Sequence, residues 1–580
     1  MKNIVLAVFL LLLIVFHSMA ATETIPSGSF IVNLGVTPQT VANGLKPYGM
    51  IYDLLKNLHV PIKWVINSSK VKDGADFVYN GKSYSGGCFI ITEPYRTNEV
   101  NAVINKWIVL GVIGETITSS LDVDVYATLS YAPRWTLDKT VINLPGVTYS
   151  GSLAVPFFEN AGIPASAYGG SSLASWKLPG DLDQCDDIFV LPHSFPTQAT
   201  HQNLATWNST NKGALWCACI ASSQLENISG LNFLTTGGMM CPNYALYPSP
   251  CIEQHIQGTS PYTYASPANP VTQFVGGMDG ATGGAESIYL PKLASIWRSN
   301  TALYVTQPDH FNIGGYTSTI SPTLFVPRTP IGPATATIVA VGRGFGNPNN
   351  GLVMYQAGHC DVRSGLATEA EYVTIQRAFF NFSLMVVAGR QGDLPAIQII
   401  AASRMNGGQA YPVTFSVPQG VDISQYKIVW SATSGQILPN PYAKEITYIP
   451  SADVQAKKAI ITLTLSDACS REVFTSDAIY IKDIKVPKLV SPNGDGSGYD
   501  FLYLKNIEFY PNNEINIYNR WGNVVYHEKN YDNNTVKFIG LNAKGKEVPD
   551  GVYYYVINID DPSDPEISST PITGYFILRR

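Results

Sequence analysis

Charge is scarce in this 580-residue chain. Asp, Glu, Lys and Arg make up 14% of it, well below the roughly 25% of an average soluble domain, and 43 acidic against 37 basic residues leave a formal net charge of -6. There is no basic stripe, so nothing in the sequence proposes nucleic acid as a partner. Eight cysteines over this length are too few for a disulfide-built scaffold. Beyond the first twenty residues no apolar run reaches the length of a membrane span. No glycine-rich phosphate loop or zinc-spaced Cys/His set occurs. Gly, Pro, Tyr, Asn, Ser and Thr fill the space that charge leaves, which suits loop-rich, β-rich extracellular proteins. The apolar share of 45% is ordinary for packed cores, and the length predicts three or four compact units.

The first residues have the pattern of a secretory signal: Lys2, the apolar run Ile4 to Phe16, then the small-x-small site Ser18-Met19-Ala20 before Ala21. Cleavage there predicts a mature chain from residue 21, with no transmembrane segment. Export permits disulfides. Cys241 and Cys251 bracket a Pro-rich loop and are the expected pair, whereas Cys217 and Cys219 alternate on a predicted strand and point the same way, poorly placed to bond to each other.

Residues 21–392 alternate short apolar strands with amphipathic helices. Strands are expected at Phe30–Gly35, Ile62–Ile66, Cys88–Thr92, Val112–Ile117, Asp187–Pro192, Gly213–Cys219, Thr337–Val341 and Leu352–Tyr355. Helices are expected at Leu45–Leu58, Asn98–Leu110, Ala154–Ala161, Gln202–Trp207, Ala221–Asn227 and Ala367–Val387. This alternation predicts an α/β domain with a mostly parallel sheet covered on both faces. A Gly/Pro/Tyr-rich, aperiodic insertion at about 237–330 reads as an elaborated loop region or lid. From 393 to 485 the period falls to two, with Trp430 on one strand and Cys469 after another, as in a small sandwich around a core Trp. That segment resembles the PKD-like immunoglobulin-type modules of bacterial surface proteins, which implies a spacer or binding module.

The last unit, 486–580, opens with Ser491-Pro-Asn-Gly-Asp-Gly496. It continues through Ile515-Asn-Ile-Tyr-Asn-Arg-Trp-Gly522 and Val548-Pro-Asp-Gly-Val-Tyr-Tyr-Tyr-Val556, and ends with Gly574-Tyr-Phe-Ile-Leu-Arg579. These motifs, in this order, resemble the gliding-motility-associated C-terminal family, the type B sorting domain of type IX secretion. The resemblance implies recognition by the outer-membrane translocon and a secreted or cell-surface protein. Alternating strands around Pro-Asp-Gly independently predict an antiparallel β domain. Asn493, Asp495, Ser497 and Asp500 set oxygen side chains around a Gly-rich turn, either a Ca²⁺ site or an ordinary Asx turn. No other cofactor is expected.

Chemistry centres on Cys219, at a predicted strand-to-helix junction on the carboxyl edge of the sheet, where α/β sites form and a thiolate is favoured. The plainer reading is a buried core cysteine. Downstream, Gly351-Leu-Val-Met-Tyr-Gln-Ala-Gly358-His359-Cys360-Asp361 brings a His to a loop with an acid two residues on. Cys followed much later by His-x-acid resembles the class I glutamine amidotransferase-like superfamily, and the flanking pattern its ThuA-like branch. The roles implied are Cys219 nucleophile, His359 base and Asp361 orienter. The sequence departs from that family in lacking a complete glutaminase elbow, in having Asp for Glu, and in its long Cys-to-His separation. A second arrangement, strand Asp187-Ile-Phe-Val-Leu-Pro-His193 followed by the strand ending at Cys219, resembles the caspase-like peptidases, including the gingipain type. It implies a His193–Cys219 dyad. His201 is expected on a helix facing solvent. Three functions follow: an exported protein whose large domain binds an extracellular ligand, a glycan or protein, with Cys-dependent hydrolase chemistry; a secreted cysteine peptidase; or a non-catalytic adhesion or surface protein. In the last, Tyr262, Tyr264, Tyr289 and Trp297 of the insertion are candidates for stacking on sugars.

Overall fold

The computed structural model describes residues 21–580 apart from 145, 171–172, 195–197, 227, 229, 235–255, 258–261, 265, 279–285, 291–301, 309–334, 338, 357–367, 391–394, 403, 452–457, 482–483, 497 and 561–569. The chain divides into two compact units. One runs to Ala396 and includes Val421–Tyr426 and Ser466–Phe474; the other comprises Ile397–Gly420, Lys427–Leu465 and Thr475–Arg580.

The first unit holds two large sheets. Strands Ala21–Ile25, Leu121–Leu129, Ile62–Val65, Phe89–Ile91, Phe30–Val32 and Gly114–Thr116 lie side by side in that order, and every neighbouring pair is antiparallel. The parallel arrangement expected here is therefore corrected. Apolar alternation of strands and helices reports burial but not direction. Phe89–Ile91 follows the hairpin Ala75–Tyr79/Lys82–Ser85 rather than a helix, so it returns between the strands that flank the first helix. Both faces are covered, which is why Phe30–Val32 and Phe89–Ile91 are buried at every position. Ile31, Val65 and Ile90 pack with Phe77 and Tyr84 of the hairpin. Val32, Trp64 and Phe89 face the helices.

The second sheet has seven strands, in the order Tyr262–Thr263, Ala302–Pro308, Val339–Arg343, Leu352–Gln356, Ala214–Ala218, Ile188–Leu191 and Trp135–Leu137. The last four are parallel and the first three antiparallel additions. Thus the insertion is not purely loop: Ala302–Pro308 joins this sheet, and Glu286–Leu290 pairs with Ile256–Gln257 and Thr335–Thr337. Runs such as Leu303-Tyr-Val-Thr306 are strong strand formers, but their Gly/Pro-rich flanks mask the alternation over a longer window.

Helix Glu369–Arg390 runs through the centre of this unit. Thr368 and Glu371 form a reciprocal cap at its start: the Glu371 carboxylate accepts from Thr368 N at 2.8 Å, and the Thr368 hydroxyl accepts from Glu371 N at 3.3 Å. It is buried from Val373 to Val387 on all sides, so it carries no polar stripe. Trp135 donates to Ser383 Oγ at 2.8 Å, and Phe379 packs edge-on against Trp216 at 5.0 Å. Cys185 and Cys469 form a disulfide across 284 residues, within the first unit. Closing so long a loop contributes about 2–4 kcal/mol. The expected pair Cys241 and Cys251 lies outside the described residues.

The second unit contains two four-stranded sheets. One is Gln398–Ile400, Tyr411–Ser416, Ile446–Ile449 and Gln436–Leu438; the other is Arg404–Met405, Glu472–Ile481, Lys458–Ser466 and Lys427–Ala432, the turn of whose Lys458–Ser466/Glu472–Ile481 hairpin is counted with the first unit. Trp430 is buried, as its position between alternating strands predicts. The C-terminal region forms a five-stranded sheet ordered Leu489–Val490, Ile572–Leu578, Gly551–Ile559, Asn513–Tyr518 and Val524–Lys529, antiparallel except for its two-residue first strand. Leu502, Ile515, Phe538 and Phe576 belong to a core of its own.

Candidate functional site

The four parallel strands deliver three chemically active side chains to one edge. Ile188 pairs with both Trp135 and Ala214, and Leu191 pairs with Cys217. Two residues beyond those last partners, past the end of the ladder, stand His193 and Cys219. Asp138 ends the next strand over, and its N–H still donates to Val190 O at 3.1 Å. Gln356 ends the strand on the far side of Cys219, and its carbonyl accepts from Cys219 N at 3.0 Å.

Cys219 has φ +50, a left-handed conformation in a non-glycine residue, at the turn between strand Ala214–Ala218 and helix Ile220–Glu226. Such backbone costs on the order of 1 kcal/mol and is the conformation of nucleophile elbows. Ser222 fixes the turn, donating from N to Cys219 O at 3.2 Å and from Oγ to Cys217 O at 3.0 Å. Cys219 is 3% exposed. Cys217 is fully buried, and burial, then the nearby Asp138 and Glu226, push its thiol well up, so it stays protonated. No disulfide joins Cys217 to Cys219.

His193 donates from its backbone N to Ser150 Oγ at 3.2 Å, which turns the chain out of the ladder. Asp138 is fully buried. Its Oδ1 accepts from Thr140 N at 3.0 Å and Thr140 Oγ1 at 2.7 Å, while Oδ2 has no hydrogen-bond partner among the described residues. Burial pushes its carboxyl up to about 6, with Thr140 and the neighbouring Ser150 hydroxyl drawing it back. Sequence reasoning missed Asp138, although Trp135-Thr-Leu-Asp138 is the same signal that singled out His193, a short apolar strand ending in a titratable residue.

His201 departs from expectation. It lies on helix Gln198–His201 but is wholly buried, with Ser194 Oγ 3.2 Å from Nε2 and Thr200 Oγ1 2.7 Å from Nδ1. The hydroxyls on both nitrogens let an imidazole sit inside, and burial lowers its pKa to about 4. His359, Cys360 and Asp361 lie outside the described residues, as does Trp297. Cys185 is disulfide-bonded to Cys469.

In the C-terminal region, both oxygens of Asp500 accept backbone N–H groups, from Gly494 at 2.7 Å and Gly496 at 2.9 Å. Asn493 donates to Asp495 Oδ2 at 2.9 Å. The Asn493, Asp495 and Asp500 oxygens thus meet in one turn and are engaged in holding it. Among the described residues no group of three His, Cys, Asp or Glu side chains is placed to hold a metal.

Residues 484–578 match the CHU_C type IX secretion signal domain. That domain is the element recognised by the type IX machinery, and it marks the chain as secreted or cell-surface. No helix among the described residues is long and apolar enough to cross a membrane. No curated protein matches the chain. Among solved structures, dimeric latent PorU from Porphyromonas gingivalis overlays at 12% identity over 43% of this chain and 24% of its own, with a TM-score of 0.12. A tetra-tandem repeat from the extending region of a large adhesion protein overlays at 8% identity over 41% and 54%, TM-score 0.16. Cadherin domains 3–6 of Protocadherin Gamma B2 overlay at 12% identity over 31% and 46%, TM-score 0.15. The chain spans between a quarter and about half of these three structures, and scores this low assign no fold.

Proposed function

We propose that this chain is a type IX secretion cargo whose first unit is a cysteine-dependent hydrolase of acyl or peptide bonds, with Cys219 as nucleophile and His193 as base. The observation that carries this reading is that the two residues follow the carboxyl ends of adjacent parallel strands, each two residues past the last pair, which supports a proton-transfer pair. His193 takes the Cys219 proton, the thiolate adds to the substrate carbonyl carbon, and the collapsing intermediate expels the amine, which leaves with the proton from His193. Water, deprotonated by the same imidazole, then releases the acid and restores the thiol. The strained turn at Cys219 supports a nucleophile rather than a packing residue. Ser150 Oγ accepts from the His193 N–H, and the Asp138 N–H donates to Val190 in the strand that leads to it.

A second reading keeps Cys219 and takes the base from His359 with Asp361 as its orienter. It is favoured by the Cys219 N to Gln356 O hydrogen bond, which ties the strand preceding His359 to the elbow. Cleavage of fluorescein-labelled casein separates them. Loss on Cys219→Ala and His193→Ala with retention on His359→Ala supports the first, and the reverse histidine pattern the second. A protein that cleaves nothing and whose Cys219 resists iodoacetamide is a non-catalytic surface protein.

A further inference from the structure

A cavity of about 560 Å³ opens in the first unit at the amino ends of strands Trp135–Leu137 and Ile188–Leu191, the sheet edge opposite Cys219. Strands of four residues separate the two edges by roughly 13 Å, so this cavity is distinct from the candidate catalytic edge. Its volume falls in the range of small-molecule sites, about 300–1,000 Å³. Tyr52, Tyr131 and Trp135 supply an aromatic wall, and Tyr52 stacks on Trp135 at 6.1 Å.

Every lysine and arginine around it already has a carboxylate partner. Arg134 Nε lies 3.0 Å from Asp187, which Arg471 also approaches at 3.7 Å, Arg471 Nε lies 3.0 Å from Asp467, Lys177 Nζ 2.8 Å from Asp186, and Lys56 Nζ 2.6 Å from Glu472. An ionic ligand must break one of these pairs, and in a half-buried site that costs more than the new contact returns. A neutral ligand rich in hydroxyls meets donors and acceptors side by side at every pair, and lays its C–H face on the aromatic wall. Part of the rim, Ser470 to Glu472 and Phe474, is anchored by the Cys185–Cys469 disulfide, and Cys185 itself lines the cavity. The site is therefore formed before any ligand arrives.

We propose that this cavity is a binding site for a neutral saccharide of one to three sugar units. The inference does not rest on the hydrolase reading. It is tested on the full chain without residues 1–20, titrated with maltotriose, cellotriose, xylotriose and chitotriose, and with trigalacturonate as the anionic control. Tryptophan fluorescence and saturation-transfer NMR report binding. At least one neutral trisaccharide is expected to bind with Kd below about 1 mM, unchanged in Cys219→Ala and weakened at least tenfold by Ser166→Trp. Ser166 is an exposed rim residue, and Ser175→Trp serves should that variant misfold. Absence of binding by all four neutral sugars, tighter binding of trigalacturonate, or affinity unmoved by both rim variants overturns the proposal.

Discussion

His193 and Cys219 each stand two residues beyond a paired position, Leu191 with Cys217, on adjacent parallel strands. Of the described cysteines outside a disulfide, Cys88 and Cys217 are held protonated by burial, the former pushed up to about 12. Iodoacetamide at pH 8 is therefore expected to modify Cys219 at least tenfold faster than Cys88 or Cys217, by mass-spectrometric peptide mapping, and His193→Ala is expected to slow that reaction. Equal inertness of all three sinks the nucleophile assignment. Cys185 and Cys469 react only after reduction.

Arg377 is fully buried, and among the described residues no carboxylate pairs with it. Its guanidinium donates to the carbonyls of Leu34, Gly86 and Gln273 at 2.8 Å each, and to Tyr48 Oη at 3.3 Å. One side chain thus ties the first sheet, the hairpin and the Pro270–Thr272 turn to the central helix. Removing it strands the buried carbonyls of Leu34 and Gly86, at about 1–3 kcal/mol each, while Gln273 O keeps the Asn381 amide at 2.9 Å. Arg377→Met is expected to lower stability by at least about 3 kcal/mol in urea unfolding. Arg377→Lys recovers little, since an ammonium lacks the planar fork that reaches several acceptors at once. A loss below about 1 kcal/mol for the Met variant removes Arg377 as the hub.

Much of this fold is legible in the sequence. Periodicity places the strands and helices that it finds in the first unit to within a few residues, because each apolar face has a core to enter, but it leaves out Ala21–Ile25, Leu121–Leu129, Trp135–Leu137 and the 75–85 hairpin. Direction is not legible: Phe30–Val32 and Ile188–Leu191 are both short apolar strands, yet the first has antiparallel neighbours and the second parallel ones. Chain direction depends on whether a hairpin or a crossover precedes the strand, and Lys82–Ser85 is too polar and short to announce itself. Cys219 and His193 stand out because each titratable residue ends an apolar run. Asp138 has the same signal but no family motif around it. Cys185 and Cys469 lie 284 residues apart, so no local spacing betrays their bond.

His201 makes the first unit acid-sensitive. Its imidazole is neutral in the fold, with a pKa lowered to about 4 against an unfolded value near 6.5. Its contribution is complete above the unfolded value and is lost as pH falls through the folded one, roughly 3 kcal/mol between pH 6.5 and 4. His201→Gln keeps hydrogen-bonding atoms at both ends of the cavity without a titrating ring. Over that range its thermal midpoint is expected to fall less than the wild type's. Parallel falls in the two proteins place the acid sensitivity elsewhere.

Passage to the surface is expected to depend on the C-terminal domain and not on the sheets of the first unit. The C-terminal sheet carries its own core, with Leu502, Ile515, Ile557 and Phe576 wholly buried, and residues 484–578 match a type IX secretion signal domain. Its strand Gly551–Ile559 alternates buried Tyr553, Tyr555 and Ile557 with the exposed or half-exposed Val552, Tyr554 and Val556, so each tyrosine on the inner face is committed to folding that domain. Deleting Val486–Arg580 removes the recognition element and leaves the strands of the first unit intact. In a host with a working type IX apparatus, the full chain is expected at the surface or in the medium and the truncated one in the periplasm, by fractionation and immunoblot. Tyr555→Asp, which puts a charge into that core, is expected to copy the truncation by unfolding the signal domain. Normal secretion of the truncated chain would show that delivery depends on some other part of the sequence.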